Sequence, residues 1–378
     1  MTVCISPGGR TLSAGEDRAR RIHVATTGGV FTYERAAADT PWTRTGHTLE
    51  AHHIGSLVDL AEEGVLLAGA HSGGLFASRD AGKTWDRAMQ GISPEHEHVF
   101  ALAAFRRVPR QARDDSGIEL WAGTQPAALY RSVDLGQTWT ELPGVRSVPG
   151  TDAWNFPAPP FVAHVKNIAI HPDEPSVVYV CVEQGALLKS IDAGASWREV
   201  TSYATAEDRW YHDAHRITIS PSNPARLYLT SGEGLYQSSD AGATWTHLTT
   251  RHDRVGYPDA FFLDPQDERT IYMAGSGLSP DAWTAGADTS ARAGVLRSVD
   301  AGATWTEMHD GFVQPIRGNF EAMSLHRSGN HIALYAGTAV GEVFERADRD
   351  APWTRIAADL PPVSKVGHYK KFYAAAAH

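Results

Sequence analysis

Ionisable side chains recur at one point of a repeated pattern. Six short apolar runs open on the triplets His53-Ile54-Gly55, His98-Val99-Phe100, His164-Val165-Lys166, Asp213-Ala214-His215, Tyr257-Pro258-Asp259 and Asn319-Phe320-Glu321. The middle residue is apolar in each. Side chains alternate along a strand, so the two outer residues of a triplet share one side. Histidine fills four of these outer positions, and His52, His96 and His212 stand one or two residues upstream. Neutral imidazole is a ligand for Zn, Cu, Fe and Ni, and a carboxylate balances the charge. His53, His98, His164 and His215 are therefore candidate ligands of a divalent transition metal (Zn, Cu, Mn, Fe or Ni). His215, Lys166, Asp259 and Glu321 are candidates to move protons or anchor an anion. A metal-free, hydrogen-bonded histidine cluster is the alternative.

The elements that would hold these residues repeat along the chain. Ser-x-Asp-x-Gly-x-x-Trp occurs five times, at Ser78 to Trp85, Ser132 to Trp139, Ser190 to Trp197, Ser238 to Trp245 and Ser298 to Trp305. Two degenerate copies flank them: Tyr33-Glu34-Arg35 leading to Trp42, and Phe344-Glu345-Arg346 leading to Trp353. Counting tryptophans gives seven units. Each unit reads as four short strands bounded by Gly, Pro, Asp and Asn, as Ile168-Ala169-Ile170, Val177 to Val180 and Leu187 to Ser190 show before the tryptophan. Four strands repeated seven times predict an all-β protein, a seven-bladed β-propeller in one domain over residues 1–378. Either a strand at 3–6 or the run 367–373 is expected to complete the first blade. Inside the motif, Asp accepts hydrogen bonds from turn amides, Gly supplies special backbone geometry and Trp packs between sheets.

This motif resembles the Asp-box (BNR) repeat of sialidases, sortilin-type receptors and photosystem-assembly propellers, over nearly the whole chain. The resemblance implies the propeller fold, with the box joining the third and fourth strands at the bottom face and inner strands starting at the top. It says little of function, because the repeat serves enzymes and binding scaffolds alike. Sialidases need an arginine triad and an Arg-Ile-Pro motif; Arg21-Ile22-His23 departs at the proline, and no triad is visible near the triplets. Other Asp-box glycosidases use two carboxylates across a cleft, which here would be Asp259 and Glu321. In architecture the histidine-rich mouth is similar to the metal-bearing propellers of nitrous oxide reductase and virginiamycin-type lyase.

Two insertions are expected beside the triplets on the top face. Residues 143–161 carry Trp154 and Phe156, and residues 275–294 carry Trp283. With Tyr257, these aromatics are read as substrate contacts under a lid.

Composition excludes several classes. The net charge of −10 argues against nucleic acid and anionic membrane as partners. No apolar run reaches the ~18 residues of a membrane-spanning helix. The first ten residues lack the basic-then-apolar pattern of a leader, and Cys4 and Cys181 make no disulfide framework, so a reduced cytoplasmic location is expected. The run Ala374 to His378 reads as the start of an expression tag. Together these features point to a metal-assisted hydrolase or lyase acting on a small molecule. A scaffold for a protein or peptide and a glycoside hydrolase are the alternatives.

Overall fold

A computed structural model describes residues 1–9, 12–106 and 117–374; the end of the tag-like run, 375–378, lies outside them. The chain forms seven sheets whose strands pair largely in sequence order, the topology of a seven-bladed β-propeller. Blade four shows the pattern: strands His164–Ile170, Val178–Glu183, Ala186–Ser190 and Arg198–Glu199 pair antiparallel in succession. β-branched and aromatic residues fill the three inner strands, and each fourth strand begins at or just after the tryptophan of its motif.

The five complete motifs form tight turns before the fourth strand. In the first, Ser78 Oγ donates to Asp80 Oδ1 at 2.8 Å and accepts from the Gly82 amide at 2.8 Å. The Thr84 amide and hydroxyl donate to the two Asp80 oxygens at 2.9 and 2.7 Å. These bonds, the Thr84 amide foremost, hold the Asp80 carboxyl down at about 2. Trp85 Nε1 donates to Gly82 O at 3.2 Å, tying the half-buried indole to the turn. The aspartates therefore shape turns and are committed to local donors. A different glycine acts by proximity: a Cβ on Gly91, at φ +93, would lie 1.9 Å from Trp139 O.

The chain divides into two compact units, Met1–Asp59 with Leu248–His378, and Leu60–His247. In the first unit the strand Thr2–Ile5, not the run 367–373, completes blade one. It runs parallel to its neighbour Arg21–Thr26, because the long connection after Ile5 lets the chain cross back where a hairpin would have reversed it. A second N-terminal strand, Leu12–Gly15, adds parallel to Phe320–Ser328 and gives blade seven five strands, which the repeat pattern did not foretell. Residues 367–373 instead form a 3₁₀ turn and a short α-helix, where Phe372 stacks on Trp283 at 4.8 Å.

The degenerate motifs are held by other means. Glu345 Oε2 accepts from Trp42 Nε1 and Arg35 Nη1, each at 3.0 Å, and Oε1 accepts from Tyr335 Oη at 2.9 Å. Arg35 Nη2 reaches Oε1 at 3.0 Å, and its guanidinium lies 4.1 Å over the Trp42 ring. A buried ion pair thus stands where the complete boxes use an aspartate turn. In the second unit, apolar clusters fill the space between consecutive blades, one around Trp121, Val165 and Val180 and one around Tyr179, Leu229 and Tyr236.

Candidate functional site

The six triplets fall at the starts of six inner strands, Ile54–Leu60, His98–Arg106, His164–Ile170, Ala214–Ile219, Tyr257–Asp264 and Phe320–Ser328. One feature was not visible in the sequence. In five of these strands the ladder skips one residue, and it is always the third of the triplet: Phe100, Lys166, His215, Asp259 and Glu321. A bulge leaves its extra residue outside the pairing and re-aims the side chain. Lys166, His215, Asp259 and Glu321 therefore sit where the backbone departs from simple alternation.

In the second unit, four of these residues gather around a carboxylate absent from the triplets. Glu183, the cross-strand partner of His164, is fully buried. His164 Nε2 approaches Glu183 Oε2 at 2.8 Å, and Lys166 Nζ donates to Oε1 at 2.5 Å. An isolated antiparallel bridge joins Glu183 to Asp213, and His215 Nε2 lies 3.4 Å from Asp213 Oδ1. Burial pulls the Asp213 carboxyl up, but the charge and hydrogen bond of His215, with Lys166, outweigh it and the pKa falls below the ordinary value. Cys181 lies on the strand carrying Glu183, and burial pushes its thiol up to about 12, so it is not a nucleophile. An aromatic column walls the cluster: His71 stacks on Phe100 at 3.9 Å, Phe100 meets His164 at 4.1 Å, and Phe156 meets His164 edge-on at 5.3 Å. His98 is half-buried and its Nδ1 has no hydrogen-bond partner among the described residues.

The first unit holds a separate carboxylate pair, Asp259 and Glu321, on the bulges of blades six and seven. Lys365 Nζ donates to Asp259 Oδ1, and the Lys365 amide and Ser364 Oγ donate to Glu321 Oε2 at 2.9 and 2.8 Å. Glu321 Oε1 and the neighbouring Asn319 Oδ1 are buried with no hydrogen-bond partner among the described residues. Burial raises the Glu321 carboxyl above its ordinary value; Lys365 opposes this and Asp259 adds to it. His53 belongs to this unit, where its Nε2 meets Ser364 O at 2.6 Å and its ring meets Tyr369 edge-on at 6.3 Å. Burial, foremost, lowers its pKa.

The residues expected to contact substrate are mostly covered. Tyr257, Phe156 and Trp283 are buried, and Trp283 Nε1 donates to Leu278 O at 2.9 Å beneath the C-terminal turn. Trp283 of the 275–294 insertion is thus covered by the C-terminal turn rather than open to a ligand, because stacking on Phe372 removes its apolar surface from water. Trp154 is half-buried, its ring against Gly185. The exposed aromatics among the described residues are others, Trp210 at 53%, Phe161 at 59% and Tyr373 at 58%. Glu183, Ser364 and Lys365 were missed because they lie on a second strand and on a C-terminal loop, outside the triplets. Cross-strand pairing with His164 was the one signal that could have found Glu183.

Fold and sites define a β-propeller with two buried acid–base clusters. The chain is 27% identical over 271 residues to a xyloglucanase of Paenibacillus sp, covering 63% of this chain and 24% of that protein. It is 23% identical over 272 residues to the xyloglucanase Xgh74A of Acetivibrio thermocellus, covering 62% and 30%. The chain therefore spans less than a third of the length of these relatives. No protein-family model matches it. Among solved structures, an ancestral GH74 enzyme superposes with TM-score 0.57 at 16% identity, over 79% of this chain and 37% of that one. A YCF48 propeller bound to a D1 peptide superposes with TM-score 0.56 at 16% identity, over 92% and 96%. These two structures speak for the fold alone.

Proposed function

We propose that the chain is a glycoside hydrolase, with xyloglucan or its oligosaccharides as substrate class. The observation that carries this reading is the pair Asp259 and Glu321, whose surroundings differ: burial raises the Glu321 carboxyl above its ordinary value, while Asp259 faces the Lys365 ammonium. Two carboxyls set apart in this way are the acid and the carboxylate of glycoside hydrolysis. Glu321 would protonate the glycosidic oxygen as the C–O bond breaks. Asp259 would either activate water or attack the anomeric carbon, which the stereochemistry of the product distinguishes. The xyloglucanase relatives move the reaction away from the metal-assisted small-molecule hydrolysis or elimination expected from the histidines.

The test is release of reducing sugar from xyloglucan and from xyloglucan oligosaccharides. Asp259→Asn and Glu321→Gln are expected to lose about a hundredfold or more in rate, the scale of acid–base assistance, with circular dichroism unchanged. Wild-type protein inactive on both substrates, or full activity in both variants, would overturn the reading. A second reading, a scaffold for a protein or peptide, draws on exposed Trp210 and Phe161 and on the peptide-bound propeller of matching length. Under it, no sugar is released and Trp210→Ala weakens capture of a peptide partner.

A further inference from the structure

The cluster around Glu183 takes no part in the reaction proposed at Asp259 and Glu321. Glu183 ends the strand Val178–Glu183, and Asp213 immediately precedes the strand Ala214–Ile219. The bridge between their backbones sets the two carboxylates side by side. The bulge in the second strand then delivers His215 to the same point. One oxygen of Glu183, one of Asp213 and one ring nitrogen of His215 all lie within 4.8 Å of one another, and all three residues are buried.

Lys166 Nζ donates to Glu183 Oε1 and His215 Nε2 lies 3.4 Å from Asp213 Oδ1, so each carboxylate of the pair has a nitrogen partner and the three ligand atoms converge on one point. The donor set discriminates between cations. Two oxygens and one imidazole nitrogen suit Zn, Mn, Fe, Co or Ni, with positions left open for water. His164, whose Nε2 lies 2.8 Å from Glu183 Oε2, occupies the place of a group that orients a metal-bound carboxylate.

We propose that Glu183, Asp213 and His215 form a binding site for a divalent transition-metal ion, with His164 and Lys166 positioning Glu183. Of the four histidines first considered, His215 alone is a ligand in this site. The ligand atoms need to draw together by about 1 Å to reach ordinary metal–ligand lengths of ~2.0–2.2 Å, which side-chain rotation supplies.

The test uses chelator-stripped, full-length wild-type protein titrated separately with Zn²⁺, Mn²⁺ and Co²⁺ in a calorimeter, with the visible absorption of the Co²⁺ form recorded alongside. One ion per chain is expected. Asp213→Asn and His215→Gln should each weaken binding by about tenfold or more, and His98→Ala should leave it unchanged. Absence of stoichiometric uptake of all three ions by wild-type protein overturns the proposal. Uptake unaffected by both variants, or lost in His98→Ala alone, overturns it equally. Where a variant does not fold, the wild-type Co²⁺ spectrum decides: bands of a mixed nitrogen–oxygen site support the proposal, and the spectrum of the hexaaqua ion refutes it.

Discussion

Glu345 offers the sharpest test of how the degenerate motifs are held. Its carboxylate receives both Arg35 Nη atoms, the Trp42 indole and the Tyr335 hydroxyl at 2.9–3.0 Å, and both charged residues are buried. Glu345→Gln keeps the shape, but its NH₂ group faces donors and the Arg35 guanidinium loses its counter-charge. Breaking a buried pair from one side costs ~3–5 kcal/mol, because a charge is left uncompensated. Arg35→Met should cost a similar amount, leaving Glu345 anionic among two neutral donors. The double variant Arg35→Met/Glu345→Gln removes both charges together. It should fall short of the summed single losses by about 2 kcal/mol or more, the upper range of coupling between touching residues. Urea unfolding followed by tryptophan fluorescence measures all four proteins, with Trp42 inside the perturbed site. Additive losses, or a Glu345→Gln loss under about 1 kcal/mol, would refute the argument that this pair replaces the aspartate turn.

Three further outcomes are expected. The motif aspartates Asp80, Asp192, Asp240 and Asp300 are held at about 2 against an ordinary 3.8, so their contribution is complete above pH ~4 and disappears as pH falls through about 2; acid unfolding of a multiple Asp→Asn variant should be shallower over that window, and an identical profile would contradict this. Glu321 shifts the opposite way, so its stabilising contribution is present below the unfolded pKa of ~4.5 and declines as pH rises through the raised folded value; melting of Glu321→Gln should lose that decline, and a parallel profile counts against a raised Glu321 carboxyl. Deletion of residues 1–5 exposes the strand Arg21–Thr26 and removes Val3 and Ile5 from the core, each worth ~1.5–3 kcal/mol; a thermal midpoint unchanged by the deletion would show that this strand is dispensable.

Periodic residues located the architecture closely. The tryptophan spacing marked seven units, and the apolar runs placed six inner strands to within a residue, because repetition averages out local ambiguity. The sites were only partly visible for the opposite reason. Lys365 and Ser364 lie on a loop that no repeat contains, and they meet Asp259 and Glu321 only after folding. Glu183 sits on a second strand whose neighbours Val180, Cys181 and Val182 read as plain core. Trp283 and Phe156 looked available for ligand because a loop's aromatics carry no mark of which segment will cover them.

The repeated bulge has a consequence for how such a chain can change. At Phe100, Lys166, His215, Asp259 and Glu321 one residue is excluded from the ladder. An aromatic, an ammonium, an imidazole and two carboxylates all occupy this position while the flanking register stays intact. Identity there is decoupled from strand pairing, so exchange at one bulge need not propagate through the sheet. These five inner strands thus carry an interchangeable socket, and a propeller of this kind can acquire or discard chemistry one residue at a time.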